Sequence, residues 1–198
     1  MAQVKITQLP SLSSVAGDDQ YPIVHSGTTY NANATVMQTF VVGSGFVATA
    51  NGVGNIGSST ASFNTVFAKA TSAQYADLAE CYLADAEYVS GTVVSFGGDQ
   101  EITQSNQDHD PAVAGVISTQ PAYKMNTGLT GKHVATVALM GRVPCQVQGT
   151  VYRGSLMVSA GNGRARAESS PAPGTIIGKA IQSFDGDVGT IEIVVGRV

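Results

Sequence analysis

Tryptophan is absent from this 198-residue chain, and cysteine occurs only twice, as Cys81 and Cys145. Two cysteines without CxxC spacing make neither a disulfide framework nor a zinc site, so both are expected to be reduced and structural. The three histidines, His25, His109 and His133, are scattered along the chain, and no metal or other cofactor is expected. Charge is scarce as well: Asp, Glu, Lys and Arg make up 12% of the residues, about half of the roughly 25% usual in a soluble domain. No apolar run approaches the ~18 residues of a membrane-spanning helix. No basic segment leads into an apolar one in the manner of a signal peptide. Membrane insertion is therefore not expected. A net charge of −4 and a pI near 5.2 argue against a nucleic-acid binder working by bulk charge.

What is present points to β-structure. Hydrophobic residues reach 43%, enough for a sizeable core and too many for a disordered chain. Glycine, alanine, valine, serine and threonine dominate. Such a composition suits extended segments that hide their surfaces in an oligomer.

The charges are unevenly placed. Residues 1–69 are neutral overall. Residues 70–123 hold no Lys or Arg but contain Asp77, Glu80, Asp85, Glu87, Asp99, Glu101, Asp108 and Asp110, a net of −8. Residues 124–179 invert the sign: Lys124, Lys132, Arg142, Arg153, Arg164, Arg166 and Lys179 face Glu168 alone, for +6. The acidic block would be relieved by packing beside the basic one, within a chain or between subunits; a solvated scatter of surface charge remains the alternative.

The first forty residues predict a small module. Lys5–Pro10 is extended, Tyr21–Val24 and Thr28–Tyr30 pair across a Ser26-Gly27 turn, and Thr35–Val41 has helical spacing with Thr35 as its cap. Residues 43–61 are nearly uncharged and read as a linker. They contain Gly52-Val53-Gly54-Asn55-Ile56-Gly57, a GxGxxG pattern, but a serine-rich turn follows it instead of a helix, so a dinucleotide site is not expected. From residue 77 onward, short apolar runs recur between turn signals: 89–96, 112–117, 133–140, 143–147, 156–158, 175–181 and 191–195, with Gly141 separating the third and fourth. This spacing predicts an antiparallel β-sandwich or barrel. Gly91-Thr92, Gly149-Thr150, Gly174-Thr175 and Gly189-Thr190 each read as a turn glycine launching a strand.

Chemistry-bearing clusters are few. Asp108-His109-Asp110 resembles a base or partial metal site, yet lies in a polar loop where such residues ordinarily cap turns. Asp85/Glu87 and Asp99/Glu101 sit two apart and read as solvated faces in preference to a cation or glycosidase site. Arg164 and Arg166 share a strand face and are expected to pair with the acidic block in preference to an anionic sugar. There is no GxSxG elbow. No catalytic residue is assigned.

Asn55–Ser59, Phe63–Glu80, Tyr88–Gly98, Asp110–Ser118, Ala138–Pro144, Arg153–Ser159, Gly174–Ala180 and Gly189–Val195 together resemble tail fibre and structural proteins of tailed bacteriophages, in particular a fibre-to-head junction followed by a C-terminal β-domain. Lys5–Pro10 with Tyr21–Tyr30 is similar to short virion-anchoring modules. The resemblance implies a homotrimeric virion protein with its N-terminus on the tail or baseplate. In that frame residues 1–42 are the anchor, with Ile6, Leu9, Tyr21, Ile23 and Phe40 as docking residues. Residues 43–76 are an extended intertwined neck with Phe63, Val66 and Phe67 near the axis, since three copies would pair strand edges left open in one. Residues 77–198 are the all-β head. Asp77, Glu80, Arg142, Arg153, Arg164 and Arg166 are candidates for inter-subunit charge pairing. The alternatives are a head that binds host-surface polysaccharide, for which Tyr82, Tyr88, Tyr123 and Tyr152 round a groove would speak, or a self-cleaving or glycan-hydrolysing fibre domain.

Overall fold

A computed structural model describes residues 16, 18–33, 50, 56, 58, 60–65 and 76–196. The chain divides into two units, Met1–Phe67 and Ala68–Val198. Among the described residues there is no helix, and the architecture is all-β. The helical spacing at 35–41 and the docking candidates Ile6, Leu9 and Phe40 lie outside the described residues. So do Val66 and Phe67 and, apart from Ile56, the GxGxxG stretch.

In the first unit, β1 (Gln20–His25) and β2 (Thr28–Asn33) form an antiparallel hairpin with Ile23 opposite Tyr30 and Tyr21 opposite Ala32. Ser26 and Gly27 both have positive φ, 49° and 78°. Two left-handed residues make the tight turn whose twist matches that of paired strands. Phe63, described in the same unit, is 64% exposed within one chain.

Among the described residues the second unit holds ten strands: β3 (Asp77–Leu83), β4 (Val93–Phe96), β5 (Ile102–Gln104), β6 (Val113–Ile117), β7 (Tyr123–Met125), β8 (Val134–Gln148), β9 (Leu156–Gly161), β10 (Arg164–Glu168), β11 (Ile176–Ala180) and β12 (Val188–Val195). Their order runs β10-β9-β11-β12-β8-β6-β4-β5, and β10 returns to β8 through Ala165 opposite Val147. That last pairing closes a β-barrel of β8, β12, β11, β9 and β10. The remaining strands extend from the first half of β8, where β3 also pairs with it. Two pairings, β3–β7 and β10–β8, are parallel, so the sheet is not purely antiparallel as expected.

One strand corrects the sequence reading. The runs 133–140 and 143–147 are a single strand, and Gly141 does not end it. At φ 105° Gly141 bends the strand, and an added Cβ there would lie 2.1 Å from the Ala76 carbonyl oxygen. The bend exchanges the two faces of β8. Before it, Ala138 enters the main core and Ala135, Val137 and Leu139 face a second cluster; after it, Val143, Cys145 and Val147 enter the main core. A glycine that looks like punctuation thus lets one strand serve two cores. Gly189 is a second correction. It launches no strand but lies inside β12, with the Phe184 ring 2.3 Å from the place of a Cβ.

The main core gathers Val93, Val116, Val143, Cys145, Val147, Val151, Met157, Ile177 and Ile193, and the second holds Val94, Ile102, Ile117 and Val137. The sequence reading did not foresee β3, β5 or β7. Strands β5 and β7 are three residues each, too short to show a period, and β3 finds its partners β7 and β8 far along the chain.

Candidate functional site

The loop between β5 and β6 carries Asp108-His109-Asp110, and β10 carries Arg166 and Glu168 on one face. Strand pairing brings the two together. Arg166 donates from Nε to Asp108 Oδ1 at 2.7 Å, from Nη2 to Asp108 Oδ2 at 3.0 Å, and from Nη1 to Glu168 Oε2 at 2.9 Å. His109 lies between the two carboxylates, Nδ1 at 2.8 Å from Asp108 and Nε2 at 3.2 Å from Glu168. Its φ of 52° turns the loop so that the neighbours of His109 point in opposite directions. The guanidinium holds the Asp108 carboxyl down to about 2. Glu168 is likewise lowered to about 2, first by the backbone N–H of Ser170 and then by Arg166.

Asp110 turns inward instead. Its carboxylate receives Ser95 Oγ at 2.5 Å, Ser105 Oγ at 3.2 Å and the Ala112 N–H at 2.9 Å. Its own N–H donates to Ser159 Oγ at 2.8 Å, and Ser159 donates onward to the Gln107 carbonyl. A buried carboxylate with three donors is a satisfied structural centre. Together these contacts lock the 105–112 loop onto β4, β9 and β10. The triplet that looked like a site is therefore two devices of opposite orientation. Among the described residues no group of three His, Cys, Asp or Glu side chains is placed to hold a metal.

The other candidates separate. Asp77 is 5% exposed, its Oδ2 buried without a hydrogen-bond partner, and Arg164 Nε is buried in the same way. Arg166 is spent within the chain, joining the acidic and basic blocks at Asp108. Arg142 and Arg153 are exposed. Glu80 accepts a hydrogen bond from Tyr82 Oη at 2.8 Å, and burial together with that carboxylate pushes the Tyr82 phenol up to about 12. Asp85 accepts from Tyr88 Oη, and Glu101 accepts from the Leu83 N–H at 2.7 Å. The tyrosines do not ring one groove. Tyr82 lines one hollow and Tyr88 a different one, while Tyr123 and Tyr152 stand 64% and 70% exposed.

The hollow lined by Tyr82 is a groove of about 740 Å³ over the second cluster, lined among others by Tyr82, Phe96, Leu139, Ile176, Val195 and Gly196, with no charged residue along it. Tyr82 and Phe96 meet edge to face with centroids 5.6 Å apart, and Phe96 is half exposed. Sequence reasoning missed this feature because its walls come from six strands. A second hollow of about 450 Å³, reaching the same Gly196, has Arg153 and Lys179 on its rim.

No protein-family model matches the chain, and no curated protein is significantly similar to it. Among solved structures the chain is similar to the head fibre gp8.5 N base of bacteriophage phi29, at a TM-score of 0.38 and 14% identity, over 60% of this chain and 92% of that one.

Proposed function

We propose that the protein is a structural component of a bacteriophage virion: a short homotrimeric tail or baseplate fibre, made in the host bacterial cytoplasm. Residues 1–42 dock on the virion, residues 43–76 form the neck, and residues 77–198 are the distal head. The observation that carries the reading is the surface of that head. It has an uncharged groove edged by half-exposed Phe96, and opposite charge blocks that, among the described residues, are joined by an Arg or Lys ion pair at Arg166–Asp108 alone. Such a surface is completed by contact with protein. The resemblance of residues 55–80 and 138–195 to phage fibre segments agrees with it. In the first unit a two-stranded hairpin, marginal by itself in water, exposes Ile23 and Val24 at 37% and 70%. That fits a segment which docks. The work is assembly and needs no catalytic step.

Light scattering behind size exclusion tests the proposal. A mass three times that of the chain supports it, and a monomer removes it. A second reading, host-surface glycan binding by the head, is favoured by the Tyr82–Phe96 pair in the groove, since aromatic faces suit sugar rings. Binding of host polysaccharide that Phe96→Ala abolishes, with assembly intact, would select it.

A further inference from the structure

We propose that the hollow around Val194 seats the acidic end of a second copy of this chain, so that neighbouring heads join through two different surfaces. The proposal rests on the trimeric reading and specifies its contact.

The seat is built by register. Val194 on β12 stands opposite Arg142 on β8 and opposite Lys179 on β11. Opposed residues on paired strands point to the same face. Arg153 borders the same hollow from the turn before β9. Three cations thus surround a valine that is 41% exposed. Glu192, two residues back along β12, lies on that face too. None of the three cations is ion-paired with it or with any other acid: the ion pairs among the described residues all belong to Arg166 and His109. Clustered cations without partners repel one another, and an acidic surface relieves that cost.

The chain carries such a surface elsewhere. Glu80 and Glu101 flank Tyr82 and Leu83. Asp85 Oδ2 comes within 3.3 Å of the place of a Cβ on Gly98, beside the turn that holds Asp99. The basic residues beside it are Lys124 on β7, in register with Ala79 of β3, and Lys132, which lines a neighbouring hollow with Glu87; neither appears among the ion pairs of the described residues. Acidic and basic surfaces sit on different elements, β3 to β5 against β8, β11 and β12. One copy therefore offers its acidic end while its basic seat accepts another. A contact between unlike surfaces is satisfied throughout only when it closes into a ring.

The test is cysteine cross-linking on the full chain. Val194→Cys and Asp99→Cys are introduced singly and together; native Cys81 and Cys145 are buried and do not compete. Under mild oxidation the double variant is expected to give covalent trimers and both single variants none. Adding Arg142→Glu with Lys179→Glu should abolish the covalent trimer, and adding Asp85→Lys with Glu101→Lys to that variant should restore it. Circular dichroism confirms that each variant folds. Cross-linking of either single variant would show like surfaces meeting and overturn the proposal. Absence of any cross-link in a protein that light scattering shows to be trimeric would overturn the contact and leave the trimer standing. A monomer would remove both. Loss of dextran sulfate binding in Arg142→Glu/Lys179→Glu, without any cross-link in the double cysteine variant, would reassign the seat to an anionic polysaccharide.

Discussion

Arg166 grips Asp108 at two points, Nε to Oδ1 and Nη2 to Oδ2, across 58 residues of chain. The pair ties the loop after β5 to β10, the strand that closes the barrel. Glu168 and His109 complete it. Two-point geometry makes this contact worth more than an ordinary surface ion pair, although Asp108 remains half exposed and solvent weakens it. Arg166→Ala should cost about 1–2 kcal/mol in urea denaturation. Arg166→Lys should recover little, because an ammonium cannot reproduce the fork.

The same cluster sets an acid limit. The carboxyls of Asp108 and Glu168 are lowered in the fold from 3.8 and 4.5 to about 2. Groups with depressed values stabilise above their unfolded range and lose that contribution as pH falls through the folded value. Melting temperature should therefore decline between about pH 4.5 and 2, and the decline should be shallower in Arg166→Ala. Equal slopes in the two proteins would refute this assignment.

Asp110 is the structural half of the same loop. Asp110→Ala leaves the hydroxyls of Ser95 and Ser105 buried without their acceptor, for a loss of about 2–3 kcal/mol. Ser159→Ala removes the linked donor and should cost about 1 kcal/mol by the same measurement. Asp110 holds Ala112 of the groove wall through its N–H, whereas Ser159 lines neither the groove nor the Val194 seat, so subunit mass in light scattering should be unchanged in Ser159→Ala.

The glycines separate into two groups that thermal melts can distinguish. At Gly178 and Gly141 an added Cβ would stand 1.9 Å from Val194 O and 2.1 Å from Ala76 O. Backbone cannot yield cheaply, and Gly178→Ala should cost more than about 3 kcal/mol or prevent folding. Gly149→Ala meets open space at φ 71° and should cost about 1 kcal/mol.

Groove and thiols give two independent readouts. Phe96→Lys, at a half-exposed position, should leave the melting temperature within a few degrees yet weaken assembly if the groove is a subunit contact. Cys145 is fully buried and its thiol is pushed up to about 12, so native protein should not react there with a thiol reagent, and denaturant should release it.

Local chemistry was legible from the residues alone. Ser26-Gly27 between two β-type runs reads as a tight hairpin turn because Gly27 takes positive φ at no steric cost. Short β-branched runs between turn residues dictate an all-β second unit, since strand and turn preferences act over a few residues. The separated charge blocks, and the expectation that Arg166 would meet the acidic one, also follow from position along the chain. What required the fold is everything that depends on pairing between distant strands. Gly141 resembles a break in sequence, and only the approach of Ala76 makes it a bend within one strand. Asp108, His109 and Asp110 read as one cluster because they are consecutive, whereas a positive φ at His109 sends its neighbours to opposite sides. The groove at Phe96 and the Arg142–Val194–Lys179 row are assembled from residues dozens of positions apart, and register between strands is a property of the closed barrel that no local pattern encodes.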